Sequence, residues 1–231
     1  MADTLAIGAT TRRAFERLSE DFARVFGDRL IAVVASGPAT GLAFVTDIQS
    51  GDLTALGPLT ESWHRDGLDT PLVLTPDEFR RSLDAFPLEY QTLLDRHAVI
   101  RGRPPFEHVS VNAEHLRRAC EVQAKGHLLH LRQGAIDAAG HDHRLAELMA
   151  RSAQPLRALL ANVARLEQGA QSDGDLAIAG ARLAGLSEPL VTSVLALEHA
   201  PERAHSLVPE FPAYLSAAQT LWTYVDSWRP R

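Results

Sequence analysis

Four histidines in the second half of the chain could ligate a metal ion. His127 and His130 are three residues apart, which places them on one face of a helix, and His141 and His143 follow in a short polar segment. Imidazole nitrogens are common ligands of zinc and of other transition metals. Because no His-Glu-x-x-His motif is present, we predict no metal site and expect hydrogen bonds at the surface or between helices instead.

Three basic side chains in the same segment could hold an anionic ligand: Arg117, Lys125 and Arg132. Guanidinium groups bind carboxylates and phosphates through paired hydrogen bonds. Glu114 and Glu121 lie one helical turn from Arg117, however. We therefore favour a helix face with internal ion pairs and keep the anion site as the alternative.

Familiar nucleophile motifs are absent. Cys120 is the only cysteine, so no disulfide can form within the chain, and its helical context favours a buried apolar role. The segment Ala35-Ser36-Gly37 lacks the first glycine of a Gly-x-Ser-x-Gly motif. The only lysine, Lys125, is not preceded by a glycine-rich phosphate loop. These patterns disfavour a serine hydrolase of the Gly-x-Ser-x-Gly type and exclude a P-loop nucleotide-binding protein.

The first half of the chain alternates between helical and strand-like patterns, which predicts an α/β fold. Apolar spacing and turn residues predict helices at 11–25 and 52–65, a further helix from Thr75, and strands at 30–35, 42–45, 72–74, 88–94 and 97–100. The segment Thr75-Pro76-Asp77-Glu78 has the pattern of a capping box with proline in the first turn.

The second half has helical apolar spacing almost throughout, which predicts an all-α bundle. The predicted helices are 113–138, 143–167, 175–184, 188–198 and 212–228. The turn Gly102-Arg103-Pro104-Pro105 predicts a boundary between an α/β domain at 1–108 and a helical domain at 109–231, with a cleft between them. Trp222, Tyr224 and Trp228 could anchor the last helix or, if partly exposed, support a homodimer or a protein partner.

A strand that ends in a small-residue turn, a second strand, further α/β structure and a helical C-terminal domain together resemble the nucleotidyltransferase superfamily. Two stretches, 72–90 and 112–134, are similar to bacterial nucleotidyltransferase-domain proteins. The resemblance covers about residues 10–165 and implies a mixed sheet and Mg²⁺-dependent transfer from a nucleoside triphosphate. It also implies a Gly-Ser or Gly-Gly turn whose N–H groups bind phosphate, two aspartates one residue apart on the next strand, and a third carboxylate on a later strand.

The sequence departs from that pattern where the chemistry would occur. The turn reads Ser36-Gly37-Pro38, and the strand expected to carry the aspartates, 39–45, has no acidic residue. Ser36 and Gly37 could still bind a nucleotide. Asp47 follows the strand, and Glu89 and Asp95 could lie where the third carboxylate falls.

The composition argues against two further classes of protein. A net charge of -6 disfavours a nucleic-acid binder, and 45% hydrophobic residues exclude a disordered chain. No apolar run could cross a membrane and no secretory signal is present, which predicts a cytoplasmic protein.

We therefore predict a catalytically degenerate nucleotidyltransferase-like protein, without a cofactor, that acts as a module for binding a nucleotide, a small anion or a protein. Two alternatives stay open. One is an active Mg²⁺-dependent nucleotidyltransferase with an altered carboxylate set. The other is an unrelated enzyme that uses the interdomain cleft.

Overall fold

A computed structural model describes residues 3–167 and 175–229. Contacts between Cα atoms divide the chain into two units, Met1–Asn112 and Ala113–Arg231. The predicted domain boundary after residue 108 lies four residues before this division.

The first unit is built on a mixed sheet. Its elements are β1 (Asp3–Thr4), α1 (Ala9–Phe26), β2 (Leu30–Ala35), β3 (Gly41–Val45), α2 (Ser50–Leu56), α3 (Thr60–Arg65), β4 (Leu72–Leu74), α4 (Pro76–Arg81), α5 (Pro87–Asp95) and β5 (Arg96–Gly102). The strand order is β1-β5-β2-β3-β4. β2 is antiparallel to β3 and to β5, whereas β4 is parallel to β3 and β1 is parallel to β5. The prediction of a first domain that combines helices with a mixed sheet, written α/β (α+β), is therefore confirmed at this coarse level.

Helices cover both faces of the central strands. Alternate residues of β2 and β3 point to opposite faces, as the two-residue period of a strand requires. One face packs against α1 through Phe15, Leu18 and Phe22, and the other packs against α4 and α5 through Phe79, Tyr90 and Leu93. Every residue of β3 is buried, which explains why the strand is apolar without interruption.

Two sequence predictions for this unit need correction. Residues 88–94 are not a strand but part of the helix α5, whose first residue is Pro87. Proline at a first helical position marks a helix start, and a short apolar run alone cannot distinguish strand from helix. The helix predicted at 52–65 is divided into α2 and α3 by a 3₁₀ turn at Gly57–Leu59, since Pro58 cannot donate a backbone hydrogen bond.

The capping box at the start of α4 is confirmed. The N–H of Glu78 donates to Oγ1 of Thr75 at 3.2 Å, and the N–H of Thr75 donates to Oε2 of Glu78 at 2.8 Å. These reciprocal bonds satisfy two of the N–H groups that a helix start leaves unpaired.

The second unit is helical throughout its described residues. Its helices are α6 (Ala113–Ala138), α7 (Asp142–Leu166), α8 (Leu176–Leu183), α9 (Glu188–Ala196), α10 (Ala204–Leu207) and α11 (Phe211–Ser227). α6 packs against α7 and α11, and α7 also packs against α8, α9 and α10. None of the helices among the described residues combines the length and the apolar character needed to cross a bilayer.

α7 and α8 approach each other unusually closely. A Cβ atom built on Gly180 of α8 would lie 2.0 Å from the carbonyl oxygen of Leu160 on α7. Only a residue without a side chain fits there, so the contact is between the two backbones.

Candidate functional site

The turn between β2 and β3 is closed by hydrogen bonds among its own residues. The N–H groups of Ser36 and Gly37 donate to the carbonyl oxygen of Thr40 at 2.9 Å and 3.3 Å, and Oγ of Ser36 donates to the same oxygen at 3.3 Å. Pro38 has no N–H to offer. A phosphate at the predicted nucleotide-binding residues would therefore compete with bonds that close the turn.

β3 has no acidic residue on either face. All five of its residues are buried, and Leu42 and Phe44 lie one residue apart on the face that packs against α4 and α5. The ring of Phe44 packs edge-on against Phe79 and Phe106, with centroids 5.4 Å and 5.6 Å away. This arrangement supplies no oxygen ligand for a divalent cation, which binds almost entirely to oxygen.

Asp47 is held by Arg29 rather than placed for metal binding. Nη1 of Arg29 donates to Oδ1 of Asp47 at 3.0 Å, and the guanidinium also donates to both carboxylate oxygens of Asp52 at 2.8 Å and 2.7 Å. The N–H of Gln49 adds a further bond to Asp52 at 2.9 Å. These bonds, above all those from Arg29, hold the pKa of both carboxyls below the usual range. The cluster attaches the end of β3 to the first turn of α2.

The other two acidic candidates lie in one helix, because residues 88–94 form α5. Glu89 is exposed in the first turn, and Asp95 ends the helix and accepts from Nε2 of Gln91 at 2.7 Å. Across residues 3–167 and 175–229, no group of three or more His, Cys, Asp or Glu side chains could hold a metal ion.

Arg117 is paired within its own helix, as the favoured interpretation of the sequence predicted. Its Nη1 donates to Glu121 at 2.7 Å and its Nη2 donates to Glu114 at 3.0 Å. The bonds to Glu114 and then Glu121 raise the pKa of the guanidinium. Two carboxylates thus already neutralise this side chain.

Lys125 and Arg132 both contact α11. Nζ of Lys125 lies 3.4 Å from the ring centroid of Trp222, a cation–π geometry. Nη2 of Arg132 donates to Oε1 of Gln219 at 2.7 Å. Each of the three predicted anion ligands therefore already contacts its own partner or partners, and no partner is shared between them.

His127 lies inside the helical unit, whereas His141 and His143 are exposed and stack on each other with centroids 5.7 Å apart. Nε2 of His127 lies 2.8 Å from the hydroxyl of Tyr214. That hydroxyl lies 2.9 Å from Oγ of Ser152. His127 thus forms a hydrogen bond between two helices. This is the role that the sequence analysis favoured for it over metal binding.

The backbone hydrogen bond of Ser152 determines where the protons lie in the series of hydrogen bonds that joins His127, Tyr214 and Ser152. Ser152 donates its only hydroxyl hydrogen to the carbonyl oxygen of Met149 at 2.8 Å. Tyr214 must therefore donate to Ser152, and Nε2–H of His127 must donate to Tyr214. Burial, and then the nearby charge of His130, lowers the pKa of His127 to about 4, so its ring is neutral at physiological pH.

A groove of about 490 Å³ opens between α6 and α7, beside the hydrogen-bonded side chains of His127 and Ser152. Its apolar lining includes Leu131, Leu148 and Leu159, and its polar lining includes His127, His130 and Arg151. Ligand sites in proteins are of this size and combine apolar walls with a few polar groups. The groove is the candidate binding site of the second unit.

Small and helix-breaking residues leave room for the groove. A Cβ atom on Gly126 would have no heavy atom within 4 Å. Pro155 lies inside α7, where it removes the N–H that would bond the carbonyl of Arg151. Glycine and proline inside predicted helices were the sequence signals for this site, and sequence reasoning did not use them.

No protein-family model matches this chain, and no curated protein is detectably similar to it. The resemblance to nucleotidyltransferases thus depends on the sequence patterns of residues 72–90 and 112–134. It remains a prediction.

An exposed apolar stripe runs along α6. Val122, Leu129 and Ile136 are spaced by seven residues and are 73%, 44% and 78% exposed. This spacing keeps the three side chains on nearly one side of the helix. Three large apolar side chains on one side of α6 are thus exposed to solvent.

Proposed function

We propose that this chain is a nucleotidyltransferase-like protein that does not transfer nucleotides and that acts as a ligand-binding module. The observation that carries the proposal is that β3 is buried along its whole length and has no acidic residue. In the resembled family the corresponding strand holds the metal-binding aspartates.

The loss of transfer follows from charge. Transfer from a triphosphate needs divalent cations to stabilise the charge that develops on the reacting group, and carboxylates hold those cations. On β3 every side chain is apolar and buried, and the nearest acidic candidate, Asp47, is neutralised by Arg29. Neither arrangement supports two cations beside a triphosphate.

The binding role is supported by the groove between α6 and α7. It has the size of a small-molecule site and contains a histidine with a strongly lowered pKa. Such perturbed groups in a cleft are typical of functional sites. The ligand-binding role is therefore assigned to the second unit rather than to the sheet of the first.

Calorimetric titration with each nucleoside triphosphate, with and without MgCl₂, tests the proposal together with a pyrophosphate-release assay. We expect no Mg²⁺-dependent binding and no release. Mg²⁺-dependent tight binding with pyrophosphate release would overturn it. In that case Asp47→Asn, Glu89→Gln and Asp95→Asn, measured beside wild type, show whether an altered carboxylate set carries the activity.

A further inference from the structure

We propose that the α6–α7 groove binds a small amphipathic anion, namely a carboxylate attached to an apolar body. The inference rests on the ligand-binding role proposed above and specifies the chemistry of the ligand.

The apolar part of the ligand follows from the walls of the groove. Leu131 and Leu159 are almost fully buried at its base, and Leu148 completes an aliphatic surface. Removing apolar area from water contributes roughly 25 cal/mol per Å². A ligand made only of polar groups would lose hydration here without gaining hydrogen bonds in return.

The anionic part follows from the charges along the lining. Arg151 and His130 line the groove, and among the residues that the structure describes no aspartate or glutamate lines it. Arg151 is 77% exposed, and its ion pair with Glu147 is long, at 3.7 Å. Its Nε donates to the carbonyl oxygen of Glu147 at 3.4 Å. Unlike Arg117, whose two carboxylates lie at 2.7 Å and 3.0 Å, it can offer the N–H groups of its two terminal nitrogens to a ligand. A guanidinium binds a carboxylate through two parallel hydrogen bonds.

The neutral ring of His127 gives the groove an uncharged inner wall. Its Nε2–H is directed at Tyr214, inside the bundle. Arg151 therefore supplies the fixed positive charge of the described lining. One guanidinium beside a largely apolar lining matches a molecule with a single carboxylate on an apolar body.

Calorimetric titration with octanoate tests the inference, with 1-octanol as the uncharged analogue. We expect octanoate to bind with one molecule per chain and octanol to bind more weakly. Arg151→Gln should weaken octanoate binding by about tenfold or more, the usual effect of a lost hydrogen bond to a charged group. Arg144→Gln is the matched control, because Arg144 lies seven residues earlier on α7 and outside the groove.

A second variant tests the location. Gly126→Leu fills open space next to the groove and also improves helix propensity, so it should fold and lose octanoate binding. Absence of octanoate binding to wild type overturns the inference, as does equal binding to wild type and to either groove variant. If Gly126→Leu instead converts a dimer to a monomer and octanoate does not bind, a second copy occupies the groove and the inference is wrong.

The two proposals fail separately. If octanoate does not bind and no pyrophosphate is released, only the ligand class is overturned. Pyrophosphate release overturns the proposed function whatever the groove binds.

Discussion

Nε2 of His127 on α6 lies 2.8 Å from the hydroxyl oxygen of Tyr214 on α11. The same hydroxyl lies 2.9 Å from Ser152 on α7, so one phenol links three helices. All three side chains are buried. Buried polar groups favour a single arrangement of the helices when every one of them is paired. In this chain the hydrogen bonds therefore specify how α6, α7 and α11 meet.

Replacing Tyr214 with phenylalanine should destabilise the chain by about 1–3 kcal/mol, because it leaves the buried N–H of His127 without an acceptor. Chemical unfolding of the wild type and the variant measures the difference. A double-mutant cycle with Ser152→Ala separates this effect from lost packing. Strictly additive effects of the two substitutions would contradict the hydrogen bond between the two side chains.

The lowered pKa of His127 predicts acid sensitivity. The unfolded chain takes up a proton near pH 6.5, whereas the folded chain does so only near pH 4. The unfolded state therefore binds more protons between these values, and stability falls as the pH is lowered through this window, by about 3 kcal/mol in all. In His127→Gln, which cannot titrate there, the free energy of unfolding should fall less steeply between pH 6.5 and 4. Parallel curves for the wild type and His127→Gln would show that His127 is not the responsible group.

Placing two aspartates one residue apart on β3 should unfold the first unit rather than create a metal site for nucleotidyl transfer. In Leu42→Asp and Phe44→Asp a carboxylate replaces a side chain that is buried against other apolar groups, and an unpaired buried charge costs several kcal/mol. Circular dichroism and solubility measure the outcome. Leu72→Asp on β4, where the side chain is 57% exposed, is the control that should fold. A folded double variant with pyrophosphate release would refute the assignment of β3 as a closed apolar strand.

Replacing Gly126 or Gly180 of the helical unit with alanine should change the stability of the chain in opposite directions. Gly126→Ala should stabilise the chain by about 0.5–1 kcal/mol, because its Cβ meets nothing and alanine is the better helix former. Gly180→Ala should destabilise it by roughly 1–3 kcal/mol or more, because its Cβ would overlap the carbonyl of Leu160. Thermal unfolding of both variants checks the two signs. Equal midpoints would contradict the close approach of α7 and α8.

The long helices and the central strands could be predicted from local pattern. The predicted bounds of α6 and β2 agree with the structure, because an extended apolar period and a β-branched run between turns are strong signals. In α5 the apolar residues were too few to reveal their period, and Pro87 was the better evidence.

The polar chain and the groove could not be predicted in the same way. His127 and Tyr214 are 87 residues apart in sequence, so no local spacing relates them. Their meeting depends on how the helices pack. The groove likewise depends on side chains that are too small to fill a space between two helices, and its lining is shared by α6 and α7.

The glycine contact between α8 and α7 also bears on the order in which the chain folds. α8 has 8 residues, fewer than the roughly 12–15 that an isolated helix needs to persist in water. α8 packs closely against the backbone of Leu160. This backbone is ordered only after α7 has formed. We expect α8 to appear late in refolding, and its amide hydrogens to exchange with solvent before those of α7.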